Sequence, residues 1–166
     1  MKHKFMLVAI IATAIASVAY ASFATTLTIS GTGTATGNWD VAITGITASG
    51  QVGATDHVST PSFAATSATF NVDLAYPGAT SSYQVVIKNN GNISAKVSSI
   101  TDLTTINSNA PSYLTYALSG VAANDVLAPG ATDTATITVT WAASATTNPS
   151  GASKAATITF NYVQNT

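Results

Sequence analysis

The stretch LAYPGATSSYQVVIKNNGNISAKV, residues 74–97, sets two turn signals around two alternating apolar runs. Pro77-Gly78 presets a tight turn: proline fixes φ for the first corner, and glycine accepts the positive φ of the second. Tyr83, Val85 and Ile87 then recur at every second position, which is the period of a strand with one buried face. Asn90-Gly91 signals a hairpin. Beyond it Ile93, Ala95 and Val97 continue the alternation.

The same pattern is repeated farther along. VLAPGATDTATITV, residues 126–139, repeats the Pro-Gly-Ala-Thr turn, with Pro129, Gly130, Ala131 and Thr132 in the places of Pro77, Gly78, Ala79 and Thr80. Ala135, Ile137 and Val139 fall against Tyr83, Val85 and Ile87. Two equivalent turns each feeding a core strand fit either approximate symmetry between halves of a sandwich or one turn solution used twice. A single short echo does not make a repeat protein.

Working outward, other short runs read as strands. TTLTIS places Leu27 and Ile29 on one face, and Gly31, Gly33 and Gly37 follow. Trp39, Val41 and Ile43 alternate, as do Phe70, Val72 and Leu74, and Ile137, Val139 and Trp141. Residues 113–118 form a further candidate, and AATITFNYV carries Ile158, Phe160 and Tyr162 on one face. Residues 47–61 read as a long loop. AASATTNPSGASKAA is broken by Pro149 and Gly151 and reads as loop too, and helical spacing is absent over any useful length. Seven to nine short strands between turn residues predict an all-β fold, an antiparallel β-sandwich beginning near Thr25. Its expected core is Trp39, Val41, Phe70, Val72, Tyr83, Val85, Ile87, Ile137, Val139, Trp141, Ile158 and Phe160.

The N-terminus has a basic start at Lys2, His3 and Lys4, then an apolar run, then small residues around Ala19-Tyr20-Ala21. This is the pattern of a cleavable secretory signal over residues 1–21, with cleavage after Ala24 also open and an uncleaved anchor as the alternative. The expected organisation is signal peptide 1–21, N-terminal segment 22–37 and sandwich 38–166. The expected location is secreted, outside the cell. Beyond residue 21 three Lys stand against six Asp, with no Arg and no Glu. No basic patch exists to hold phosphates, so nucleic acid is not an expected partner. Without cysteine the domain must hold by packing, metal or assembly. So few charges leave little to keep strand edges apart, which points to a surface covered by neighbours.

Residue types for catalysis are scarce. There is no cysteine nucleophile, His57 is the one histidine after the signal, and neither GxSxG nor HExxH occurs. No catalytic residues, cofactor or metal site are assigned, and the expectation is that the protein is not an enzyme. Asp56-His57 is the one tight pair of ligand types and fits a calcium-holding loop less well than solvated charges. Trp39 and Trp141 could stack on sugars, but strict alternation favours core for both. Asn92-Ile93-Ser94 matches the N-glycosylation pattern, making Asn92 a possible glycosylation site if the source organism glycosylates exported proteins.

Two pieces of the chain resemble the TasA/camelysin family of exported fibre proteins and the related bacterial and archaeal β-sandwich bundling pilus subunits. One is the signal end SVAYASFA, similar to signals cut by the SipW-type signal peptidase. The other is LAYPGATSSYQVVIKNNGNISAKV, similar to the family's Leu-x-Pro-Gly-Asp turn, strand, Asn-Asn-Gly turn and strand. Leu74 lies one place farther from Pro77 than in that pattern, and Ala79 stands where Asp is usual. The resemblance implies a jelly-roll-like sandwich, exported with a signal peptidase as partner, that polymerises as the N-terminal strand of one subunit fills a groove in the next. The metallopeptidase activity associated with camelysin has no residues here to carry it.

The residues themselves reach a similar reading. ATTLTISGTGTATG, left at a free N-terminus after cleavage, is uncharged, alternating and rich in small side chains. Such a segment pairs readily with an open sheet edge, with Leu27 and Ile29 entering pockets and Thr25 and Ser30 in the same polymerising strand. Pairing within its own domain is the alternative. Head-to-tail insertion between identical subunits does not close, so it builds a filament, and weak lateral contacts between filaments are multiplied along its length. The expected function is therefore an extracellular filament or pilus subunit in surface attachment or biofilm matrix. A monomeric glycan-binding adhesin domain is the rival, and a secreted metallopeptidase-like protein a more distant one.

Overall fold

The computed structural model describes residues 27–145 and 153–166. The signal expected over residues 1–21 and Thr25 of the proposed donor segment lie outside the described residues. The chain divides after Ala35 into two units. In the first, the described residues form no strand, and Leu27 and Ile29 are 83% and 91% exposed.

The second unit is all-β, antiparallel throughout and sandwich-like. Its strands are β1 (Val41–Val52), β2 (Ala54–Asp56), β3 (Ser62–Ala64), β4 (Ser67–Thr69), β5 (Val72–Leu74), β6 (Thr80–Asn89), β7 (Ala95–Ile100), β8 (Leu114–Ser119), β9 (Val126–Leu127), β10 (Thr132–Trp141) and β11 (Phe160–Gln164). One helix, α1 (Leu103–Ser108), precedes β8. The larger sheet has the order β1-β6-β10-β8; a second has β11-β7-β9; β2-β5 and β3-β4 are separate two-stranded ladders. One hydrophobic cluster joins the two larger sheets, with Tyr83, Val85, Ile87, Ile137 and Val139 from the first and Ala95, Val97 and Leu127 from the second.

The two Pro-Gly sequences make the same turn. Ala79 N–H donates to the Tyr76 carbonyl at 3.0 Å and Ala131 N–H to the Ala128 carbonyl at 3.0 Å, with Gly78 and Gly130 at φ +96° and +77°. Each turn feeds a ten-residue strand, β6 or β10, and these pair with each other in the middle of the sheet, Tyr83 opposite Ile137. Their alternation holds: Ser81, Tyr83, Val85, Ile87 and Asn89 are buried along β6, and Ala135, Ile137, Val139 and Trp141 along β10.

Several expectations are corrected. Among the described residues the first strand begins at Val41, the expected start near Thr25 lying outside them, and Trp39 lies outside any strand and is 44% exposed. Residues 47–61 are not one loop: β1 runs on to Val52, kinked by register shifts at Ile43/Gly45 and Ser49/Val52, and β2 follows. Gly45 and Gly50 lie at these irregular points of a long strand. Helix α1 is also unforeseen; Asp102 caps it by accepting the Thr104 amide at 2.9 Å.

Asn90-Gly91 does not make a hairpin. β6 and β7 belong to different sheets, so the connection is an arch crossing between layers. The reason is the side chain just before it. Asn89 is fully buried; its amide donates to the carbonyls of Ile93 (2.8 Å) and Leu127 (3.1 Å), and its Oδ1 accepts from Gly91 N–H (3.0 Å). These bonds satisfy the backbone of the crossing from within. Gly91 itself keeps a negative φ, and a Cβ there would sit 2.4 Å from the Asn38 carbonyl oxygen. It is glycine for close approach, not for a left-handed turn.

Val41, Phe70, Val72, Ile158 and Phe160, expected in the core, are only partly buried against it. The ladder of the last strand begins at Phe160, although the in-out alternation begins at Lys154. These residues share a cause: among the described residues, the layer over them is incomplete.

Candidate functional site

The gap in that layer is a groove of about 1270 Å³ within the second unit. Its floor is the inner face of the larger sheet, including Val85 and Ile87 of β6 and Ile137 and Val139 of β10. One wall is the run 68–75, whose Ala68, Phe70, Val72 and Leu74 face inward while the residues between are exposed. The other is the run 154–162, with Ala156, Ile158, Phe160 and Tyr162 inward by the same alternation.

Each wall is paired on one edge. β5 pairs with β2, and β11 pairs with β7. No other ladder involves β5 or β11 among the described residues. A strand has two hydrogen-bonding edges, so among the described residues one edge of each wall has no ladder partner.

The walls are held firmly from behind. Phe70 stacks on Tyr83 with centroids 4.2 Å apart. The Tyr83 hydroxyl donates to the Asp56 carboxylate. Burial, and secondly Asp56, pushes the Tyr83 pKa up to about 12. Lys154 Nζ donates to the carbonyls of Asn107 (3.0 Å), Pro111 (3.1 Å) and Leu114 (2.8 Å), and its own carbonyl accepts from the Tyr116 hydroxyl. Tyr162 donates to Asp133 at 3.4 Å; burial, then the Asp133 charge, raises its pKa.

Asp56 and His57 are not brought together. They are neighbours in an extended run and so face opposite ways: Asp56 turns inward to Tyr83, and His57 Nε2 lies 2.9 Å from Asp73 on the exposed side. No cluster of three or more metal-ligand side chains occurs among the described residues. Trp141 is buried and stacks on Tyr113 at 5.8 Å, whereas Trp39 reaches the groove half-exposed. Asn92, the glycosylation candidate, is exposed but engaged: Oδ1 accepts from Asn38 N–H at 2.7 Å and Nδ2 donates to the Thr36 carbonyl at 3.1 Å. It clamps the chain where the second unit begins.

Leu27, Ile29 and Ser30 are exposed and belong to the first unit. The groove walls escaped sequence reasoning as a site. The alternation of 68–74 and 156–162 was visible, but not that each strand would be paired on one side alone. Comparison with family models, with curated proteins and with solved structures returns no match.

Proposed function

We propose that this protein is the structural subunit of an extracellular filament, built head to tail as the N-terminal segment of one copy enters the groove of the next. One observation carries the reading: two short ladders, β2-β5 and β11-β7-β9, end in edges without a ladder partner among the described residues, on either side of a groove into which Phe70, Val72, Leu74, Ile158 and Phe160 face. A single added strand would join them into one sheet and complete a jelly-roll-like sandwich. The segment that suits it is in the same chain, with Leu27 and Ile29 alternating and exposed.

Magnitudes favour pairing on both edges. Each anchor returns ~1.5–3 kcal/mol on burial, while each ordered residue costs ~1–2 kcal/mol. Two side chains do not hold the segment alone; ladder hydrogen bonds and the covering of Phe70, Val72, Ile158 and Phe160 must contribute. Low surface charge then allows lateral bundling of fibres.

Electron microscopy of the secreted protein tests the reading, with filaments expected. A protein lacking residues 25–29 should give none, and a synthetic peptide covering residues 22–35 should cap growing ends and shorten wild-type fibres. Fibres of normal length from the truncated protein would refute it. A second reading, a monomeric glycan-binding domain, is favoured by half-exposed Trp39 at the groove. It requires reproducible glycan binding by a protein that stays monomeric under polymerising conditions.

A further inference from the structure

The two groove walls run in opposite directions. Ala65 accepts from the amide of Ile43, which pairs with Ile87; Phe70 stacks on Tyr83; Ala75 donates to Gly53, beside Val52, which pairs with Thr80. The first wall therefore climbs from the Asn89 end of β6 to its Thr80 end. The carbonyl of Lys154 accepts from Tyr116, opposite Val139, which is opposite Ser81. Tyr162 donates to Asp133, opposite Ile87. The second wall descends from the Thr80 end to the Asn89 end. A strand laid between them must be parallel to one wall and antiparallel to the other. Parallel pairing within a chain needs a long crossover, whereas a strand from another copy arrives free of that constraint.

The direction follows from where each chain leaves its own second unit. Thr36 and Asn38 are fastened to Asn92, and Asp40 accepts from the amides of Asn90 and Gly91, all at the Asn89 end. Subunits stacked with one polarity bring that end against the Thr80 end of the next groove. Resting on the filament reading, we infer that the donated segment enters at the neighbour's Thr80 end with Ala35 first and reaches the Asn89 end with Leu27. It lies parallel to 68–75 and antiparallel to 154–162. Leu27 and Ile29 then meet Phe160 and Tyr162 at the Asn89 end of the groove. Gly31, Gly33 and Ala35 pass the Thr80 end, lined by Leu74 and Ala156 and by the rings of Tyr113, Tyr116 and Trp141. A segment folding back into its own groove would enter from the Asn89 end and lie the opposite way, with Leu27 at the Thr80 end.

The chain has no cysteine, so two pairs of introduced thiols report the direction. Thr28→Cys is combined either with Asn161→Cys, at the Asn89 end, or with Thr157→Cys, at the Thr80 end. All three side chains are exposed. The wall positions lie about 13 Å apart along a strand, so a thiol cross-linker shorter than this separates them. The expected result is a covalent ladder of multimers in assembled Thr28→Cys/Asn161→Cys and no ladder in Thr28→Cys/Thr157→Cys. Fibre formation by each variant before cross-linking verifies that it folds and assembles. A ladder from the Thr157 pair overturns the direction while leaving the filament reading standing. Fibres in which neither pair links also overturn it. An internal link within single chains of the Thr157 variant, with no filaments from wild type, overturns both.

Discussion

The Gly78 amide donates to the Trp141 carbonyl at 2.9 Å, tying the first Pro-Gly turn to the last residue of β10. The second turn repeats the tie, Gly130 to Asn89 at 2.8 Å, at the last residue of β6. The return bonds match as well: Trp141 N–H to the Ala79 carbonyl at 3.0 Å, and Asn89 N–H to the Ala131 carbonyl at 3.1 Å. The two echoed segments are related by a local two-fold axis between the central strands. Each turn closes the ladder that the other turn began, so the sequence echo corresponds to a spatial symmetry.

Gly130→Ala should destabilise the folded domain by about 1–2 kcal/mol. Its Cβ would meet nothing within 4 Å, so the cost is the positive φ alone. Gly91→Ala should cost more, despite an ordinary φ, because its Cβ would press on the Asn38 carbonyl. Urea unfolding of the two variants checks the order, and equal losses would contradict it.

Asn89→Leu should cost about 3 kcal/mol or more. It takes the side-chain donor from the carbonyls of Ile93 and Leu127, each worth roughly 1–3 kcal/mol when left without a partner, while the Gly91 amide keeps only the Asp40 carbonyl. The check is the same unfolding curve, with the midpoint falling and its slope unchanged.

Stability should fall on the alkaline side, between about pH 10 and pH 12. The Tyr83 pKa is raised in the folded state, so the unfolded chain loses its proton first. The stabilisation is complete below pH 10 and is lost as pH climbs through about 12. Burial raises Tyr116 as well, and Tyr162 moves the same way, so both add in the same sense. Denaturant melts at pH 9 and near pH 12 measure the loss, which should be smaller in Tyr83→Phe than in wild type.

Leu27→Asp with Ile29→Asp should abolish assembly while leaving the melt of the second unit unchanged, since two carboxylates would enter an apolar groove unpaired. Light scattering during assembly and the monomer's unfolding curve together decide this. Fibres at the wild-type rate would count against insertion of these residues.

The sequence showed β6 and β10 plainly because turn chemistry and alternation agreed over ten residues. It misled at Asn90-Gly91, where a local hairpin signal lost to the bonds that Asn89 makes with groups near and distant in sequence. It misled at Trp39, whose alternation with Val41 and Ile43 continues past the point where pairing stops. Residues 103–108 are too short to display a helical period, and their helix rests on the Asp102 cap and packing. The groove was the least legible feature. Alternation tells which side of a strand is covered, but not whether both of its edges are paired.

Thr36 and Asn38 are held to Asn92, and Asn92 sits three residues beyond the fully buried Asn89. In a fibre built by insertion, tension along the axis passes from the inserted segment through this clamp into the central strand β6. The inserted strand lies along the groove, so the pull loads its ladder bonds in shear, all together, and no single bond can peel ahead of the others. The clamp keeps the pull aligned with the groove by preventing the chain from lifting away at its root. Loosening Asn92 would convert a tether that resists by sliding into one that opens like a zip.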